Sequence, residues 1–296
     1  MNKKIKFQMH VMWYEAEMMN ETLDSLQAAL YQADSKIDVT LCLNGQTYIE
    51  KPINGTVDDM FAKFLSHPVI AEFNIKMIHK TDSDSFYNIA DWRREQYDEE
   101  AKYTVWGESD TLLPYDFFYI LENLEIDEPH ILSFSSRKMW DNSWDVVTHS
   151  KLLGWDAPCQ CEPHKSNCIE LLESPFKYKD IISQDQLDDF NESSGDIEVV
   201  KLNQTKIDGS VLCLSGGLPH PFISDKQHFV REDTSAAYFF AHHGIPQYHI
   251  KNRIKGHNYW HPKKRTNTEA TREDDIFKKY SDESISAMNE FLSTLK

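Results

Sequence analysis

Strand, helix and strand succeed one another within the first 45 residues, and this order most constrains the fold. Ile5-Lys6-Phe7-Gln8-Met9-His10-Val11-Met12-Trp13 alternates apolar with polar residues, then turns apolar, as a strand entering a buried sheet does. Asn20-Glu21-Thr22-Leu23 opens a helix with Leu23, Leu26, Ala29 and Leu30 on one face. Ile37–Leu43 is a second strand, stopped by Asn44-Gly45. Such a unit implies a parallel pair with a right-handed crossover. The pattern continues with a strand at Phe73–Ile78, a helix at Tyr87–Glu100 and a strand at Tyr103–Trp106. Val57–Leu65 is ambiguous but compatible with a helix. The first 125 residues therefore read as an α/β sheet of doubly wound type. Ligands of such sheets sit at the carboxyl ends of the strands. The residues just after Trp13, Leu43, Ile78 and Trp106 become candidates, and Asn44 is one of them.

The second half is less regular. His130–Ser135 and Gln247–Ile250 read as strands. Trp140 to Cys168 reads as loop, and Gln184–Gly195 as an exposed acidic loop. Asp233–His243 reads as a helix closed by Gly244, and Asp274–Leu295 as a terminal amphipathic helix after a polar linker at 263–275. The expected organisation is one two-part domain: a first half at 1–125, a second half at 126–262, then linker and helix at 263–296.

Thirty-one Lys and Arg against 48 Asp and Glu leave a net charge of −17, which repels nucleic acid and anionic lipid at long range. No stretch approaches about 18 apolar residues, so no membrane span is expected. The basic opening is followed by an apolar run broken by Gln8, His10, Glu15 and Glu17, which is wrong for a secretion signal. A cytoplasmic location is expected. Five cysteines do not suggest a disulfide framework.

The most informative segment is Val105-Trp106-Gly107-Glu108-Ser109-Asp110-Thr111. Two carboxylates at i and i+2 leave the end of a buried strand. In extended chain they point to one side and suit Mg²⁺ or Mn²⁺. The alternative is a turn with solvated acids. Arg231-Glu232-Asp233-Thr234 stands at a helix start, where acids also favour the macrodipole. His257 follows a strand, and alone it reads as structural as readily as catalytic.

A second cluster is Cys159-Gln160-Cys161-Glu162-Pro163-His164-Lys165-Ser166-Asn167-Cys168. Three thiols and an imidazole suit tetrahedral zinc, although the spacing is tighter than common zinc spacings; the alternative is free thiols in a loop. Lys251 to His257 with Lys263-Lys264-Arg265 is the one basic concentration. It reads as a solvated face, a diphosphate-binding loop or an anionic acceptor groove.

In this order (βαβ, acid-x-acid after the fourth strand, Gly216-Gly217, Glu-Asp at a helix start, then His) the chain resembles family 2-like glycosyltransferases of the GT-A fold. The likeness spans roughly residues 5–262. It implies a GT-A-type α/β domain, with a mixed, mostly parallel sheet flanked by helices and an irregular acceptor-side half. By the resemblance, Glu108 and Asp110 stand at the metal-binding DxD positions and His257 at a third ligand. Asp233 stands at the catalytic base, with Glu232 beside it. Asn88, Arg93 and Arg94 lie where the family often has a basic residue facing the diphosphate, and Asp82 or Asp84 contacts the nucleoside. Glu in place of the first Asp ligates with a longer reach. The implied activity is metal-dependent, inverting transfer of a sugar from a nucleotide-diphosphate donor, UDP-sugar favoured. The acceptor is a glycan hydroxyl or, alternatively, nucleic acid. A metal-dependent nucleotidyltransferase and a non-catalytic glycan- or protein-binding module are the competing readings.

Overall fold

The computed structural model describes residues 4–46, 57–78, 86–138, 146–147, 184–202, 207, 211–257 and 275–295. In chain order come β1 (Ile5–Met12), α1 (Met19–Tyr31), β2 (Asp38–Asn44), α2 (Val57–Leu65), β3 (Asn74–Ile78), α3 (Ile89–Gln96) and β4 (Tyr103–Glu108). Then follow β5 (Thr111–Leu112), α4 (Phe117–Asn123), β6 (Ile131–Lys138), β7 (Val146–Val147), α5 (Gln184–Ser193) and β8 (Val199–Lys201). The chain continues with β9 (Leu212–Ser215), α6 (Glu232–His242), β10 (Gln247–His257) and α7 (Asp275–Ser293). The elements expected in the first half are all present.

The strands form a single sheet in the order β3-β2-β1-β4-β9-β6-β10-β5, with β7 on β6 and β8 on β10. β3, β2, β1 and β4 are mutually parallel, as crossover connections through α1 and α3 require. β9 runs antiparallel to both β4 and β6, and β10 runs parallel to β6. The carboxyl ends of β1, β2, β4, β6 and β10 therefore share one edge of the sheet. The α/β class with a mixed, mostly parallel sheet flanked by helices is the one observed. The first and second halves share this sheet.

One face packs Phe7, Val105, Phe117, Phe118 and Phe134 with the apolar stripe of α1, Leu23, Leu26 and Ala29. The other packs Trp106, Leu212, Leu214 and Ile223 against Ala236 and Phe240 of α6. α6 ends as expected: Gly244 takes φ +65°, a conformation an L side chain resists, and its N–H caps Ala241 O.

Three expectations are corrected. Residues 184–193 are a helix, not an exposed loop. Its acids face water, but Leu187 and Phe190 are buried, each contributing roughly 1.5–3 kcal/mol. Asn191 latches it to β10, accepting from Ile254 N–H at 2.8 Å and donating to Ile254 O at 2.9 Å. β9 is a strand that the sequence reading does not place, and its pairing with β4, like that of β5 with β10, joins the two halves. α3 stops at Gln96 rather than at Glu100, and β10 runs on to His257 through an irregularity between Ile250 and Ile254.

Gly216 and Gly217 do not sit by the candidate acids. β9 is antiparallel to β4 with Ser215 opposite Tyr103, so the glycines lie beside the start of β4. At about 3.3 Å per residue this is some 16 Å from Glu108. Their need is local. A Cβ on Gly216 would collide with the carbonyl oxygens of Glu99 and Ala101, and Gly217 has φ +76°.

Candidate active site

Glu108 is the last residue of β4, and Ser109 and Asp110 form the turn into β5. The acids are thus not on one extended segment, and the i, i+2 geometry expected of them does not apply. Asp110 is instead drawn inward, 1% exposed. The turn is pinned to α1, where Thr22 donates to Ser109 O at 2.7 Å and Ser25 Oγ accepts from Leu113 N–H at 2.6 Å. β5 then pairs antiparallel with β10, placing the backbone of His257 opposite Thr111. Positions 110 and 257, far apart in sequence, come within a residue of each other in register.

α3 brings the counter-charge. Asn88 caps it, its Oδ1 accepting from Ile89 N–H at 2.7 Å while Asp91 accepts from Asn88 N–H at 2.9 Å. Arg93 is 1% exposed, its guanidinium 4.6 Å from the Trp106 ring. Trp106 and Glu108 share a face of β4, so the ring that supports the guanidinium stands next to the carboxylate that binds it. Arg93 Nη2 donates to Glu108, and Nη1 donates to Glu232 Oε1 at 2.6 Å. One buried cation thus ties the end of β4 to the first residue of α6. Arg93 was expected to face a diphosphate, and it is occupied by two carboxylates instead. Burial pushes the Glu232 carboxyl above the usual carboxylate range; the Arg93 guanidinium opposes this, and the Asp233 charge adds to it. Asp233 itself is half-buried, with Oδ1 accepting from Thr234 N–H at 2.7 Å.

Arg94 is a structural anchor. It donates to Ser224 O at 2.6 Å and Gln227 O at 2.5 Å and pairs with Asp91, fixing the loop that leads into α6. Asn44 is fully buried and committed: Nδ2 donates to Tyr87 O at 2.8 Å and to His10 Nε2 at 3.0 Å, and Oδ1 accepts from Gln46 N–H at 2.9 Å. It shapes the carboxyl end of β2. The basic stretch after 250 is turned to internal partners as well. Lys251 pairs with Glu198, Arg253 with Asp116, and Lys255 donates to Val211 O. These three do not form an anionic acceptor groove. Asp82, Asp84, Lys263, Lys264, Arg265 and the cluster Cys159, Cys161, His164 and Cys168 lie outside the described residues.

The sequence reading misses His10. It is buried in the β1 position paired with Glu108, and burial, with Arg93 and then Lys76 nearby, lowers its pKa to about 3. Its signal is a titratable residue where the strand turns from alternating to apolar, between Met9 and Val11. Neutral in the fold, it takes a proton near pH 6.5 once unfolded. Its contribution to stability is therefore complete above that pH and is lost as pH falls toward 3, at about 1.4 kcal/mol per pH unit. Urea titrations across pH 7 to 4 should show this slope, and His10→Gln should flatten it. An unchanged slope in the variant refutes the assignment.

A hard divalent cation wants oxygen donors. Glu108 and Asp110 supply carboxylates, and Thr111 Oγ1 is buried beside them without a hydrogen-bond partner among the described residues. The single positive charge of Arg93 is set between the carboxyls of Glu108 and Glu232. Among the described residues, no three His, Cys, Asp or Glu side chains are gathered as a metal site. A cavity of about 430 Å³ bounded by Lys6, Tyr97, Asp98 and His220 lies at the opposite end of β4 from these acids. No described helix is long and apolar enough to cross a membrane.

No family model matches the chain, and no curated protein matches it. Among solved structures it is similar to the apo form of the glycosyltransferase GlyE of Streptococcus pneumoniae TIGR4, at 13% identity and a TM-score of 0.27 over 44% of this chain and 29% of that one. It is also similar to the galactosyltransferase LgtC in complex with donor and acceptor sugar analogues, at 10% identity and a TM-score of 0.28 over 51% and 52%. A third is WbbM, a bifunctional glycosyltransferase, at 10% identity and a TM-score of 0.32 over 86% and 38%. The chain spans at most about half the length of these structures.

Proposed function

We propose that this chain is a metal-dependent, inverting glycosyltransferase that moves a sugar from a nucleotide-diphosphate donor, UDP-sugar favoured, to an acceptor hydroxyl. The observation that carries the reading is the meeting at one sheet edge of Glu108, at the end of β4, with Glu232, at the start of α6, through buried Arg93; Asp110 and Asp233 follow these two acids closely in the chain. In this reading Glu108, Asp110 and His257 hold a Mn²⁺ or Mg²⁺ ion, which supplies positive charge for the leaving diphosphate. Asp84 contacts the nucleoside, and Asn44 holds the carboxyl end of β2. Asp233, the more accessible of the two acids on α6, takes the proton of the acceptor hydroxyl. That oxygen forms its bond to the anomeric carbon as the bond to the diphosphate breaks on the opposite face, so the configuration inverts. Glu232, held by Arg93, fixes the start of α6 and hence Asp233. A structural zinc ion in the Cys159–Cys168 cluster belongs to the same proposal.

Isothermal titration with UDP, followed by turnover of a panel of nucleotide sugars, tests it. Binding is expected to require Mn²⁺ and to disappear in Asp110→Ala. Metal-independent binding, or binding that survives in Asp110→Ala, refutes the metal assignment. A nucleotidylated product points to nucleotidyl transfer instead, and binding with no donor turned over points to a non-catalytic module.

A further inference from the structure

Arg93 is too deeply buried for water to balance its charge, so its partners must do so. It has two: Glu108, with Nη2, and Glu232, 139 residues away in the chain, with Nη1. Glu108 is also one of the acids assigned above to a divalent cation. Arg93 and that cation therefore claim one carboxylate, and Glu232 competes for the other side of the same guanidinium. We propose that Arg93 is the site's built-in counter-cation. It is a positioning residue that sets how tightly the acids at 108 and 110 take a divalent ion, and Glu232, which is not among the acids assigned to that ion, tunes that affinity through it.

This rests on the metal reading above and makes a prediction that a merely structural ion pair would not. Deleting Arg93 removes a competing positive charge and should strengthen cation binding even as it weakens the fold. Glu232→Gln leaves a guanidinium that falls wholly to Glu108, because an ionised acceptor binds it more strongly than an amide does. That should weaken cation binding although the substitution is isosteric.

The test is calorimetric titration of Mn²⁺ alone into the full chain, with near-ultraviolet circular dichroism as a check on folding. Arg93→Met should tighten Mn²⁺ by about tenfold or more. Arg93→Lys, which keeps the charge but loses the fork, should stay closer to wild type. Glu232→Gln should weaken Mn²⁺ several-fold, and Asp110→Asn should abolish the site. If Arg93→Met does not fold, Glu232→Gln carries the decision. Wild-type affinity there overturns the proposal, while loss of binding in Asp110→Asn leaves the metal reading standing. Failure of wild type to bind Mn²⁺, with binding gained in Arg93→Met, supports the counter-cation and refutes metal dependence of the native site. No binding in either overturns both.

Discussion

Asp233→Asn is expected to lower sugar transfer by about 10²–10⁴-fold, the contribution of a positioned general base. The amide keeps the size of the carboxylate and can still accept from Thr234 N–H, so the start of α6 should hold its place. What it cannot do is take a proton from the acceptor hydroxyl. The loss should therefore fall on turnover, with UDP binding in the presence of Mn²⁺ unchanged. Steady-state rates and titration of the same preparation separate the two. A variant that turns over at the wild-type rate removes Asp233 from the role, and Glu232, with its raised carboxyl, is next to be tried.

Arg93→Met should cost about 3–5 kcal/mol of folding stability, the loss usual when one partner of a buried ion pair is deleted. The cause is less the missing attraction than the carboxylates left behind, since Glu108 and Glu232 are 18% and 12% exposed and cannot recover full hydration. The sign with pH follows. Glu232 already holds its proton more tightly folded than unfolded, so its ionised form costs stability as pH rises above the unfolded value. Without Arg93 the largest influence opposing that shift is gone. His10 also loses a neighbour that disfavours its proton. Both effects shrink the difference between variant and wild type in acid and enlarge it at neutral pH. Urea unfolding of the two proteins at pH 5 and pH 7.5 reads this directly, and a difference that is the same at both pH values contradicts the account.

Much of the first half is written locally. Phe7, Met9 and Val11 alternate as a strand, Leu23, Leu26 and Ala29 repeat as a helix, and the acids at 108 and 110 follow an apolar strand. Each signal needs only neighbours within one turn or one pleat. Residues 184–193 show where such signals fail. Two apolar side chains among acids are a weak stripe, and only the packing of Leu187 and Phe190 and the latch of Asn191 onto β10 make the helix worthwhile. β9 fails in another way. Leu212-Cys213-Leu214, a three-residue apolar run buried on both sides, has no periodicity to read, and what gives it a role is the pair of antiparallel neighbours it finds in β4 and β6.

The candidate site divides along the same line. The sequence by itself named the acids at 108, 110, 232 and 233 and the histidine at 257 as candidates, and it determined the sheet edge at which the first of them emerges. Only the tertiary structure decided that Arg93 is shared between two glutamates rather than turned to a ligand, that Asn44 and Arg94 are spent on the scaffold, and that the paired glycines lie at the other end of β4. The physical reason is distance along the chain. Which residues alternate or repeat is set by bond geometry over a few positions. Which charge meets which depends on a topology that brings α3, β4 and α6 together, and no local pattern encodes that meeting.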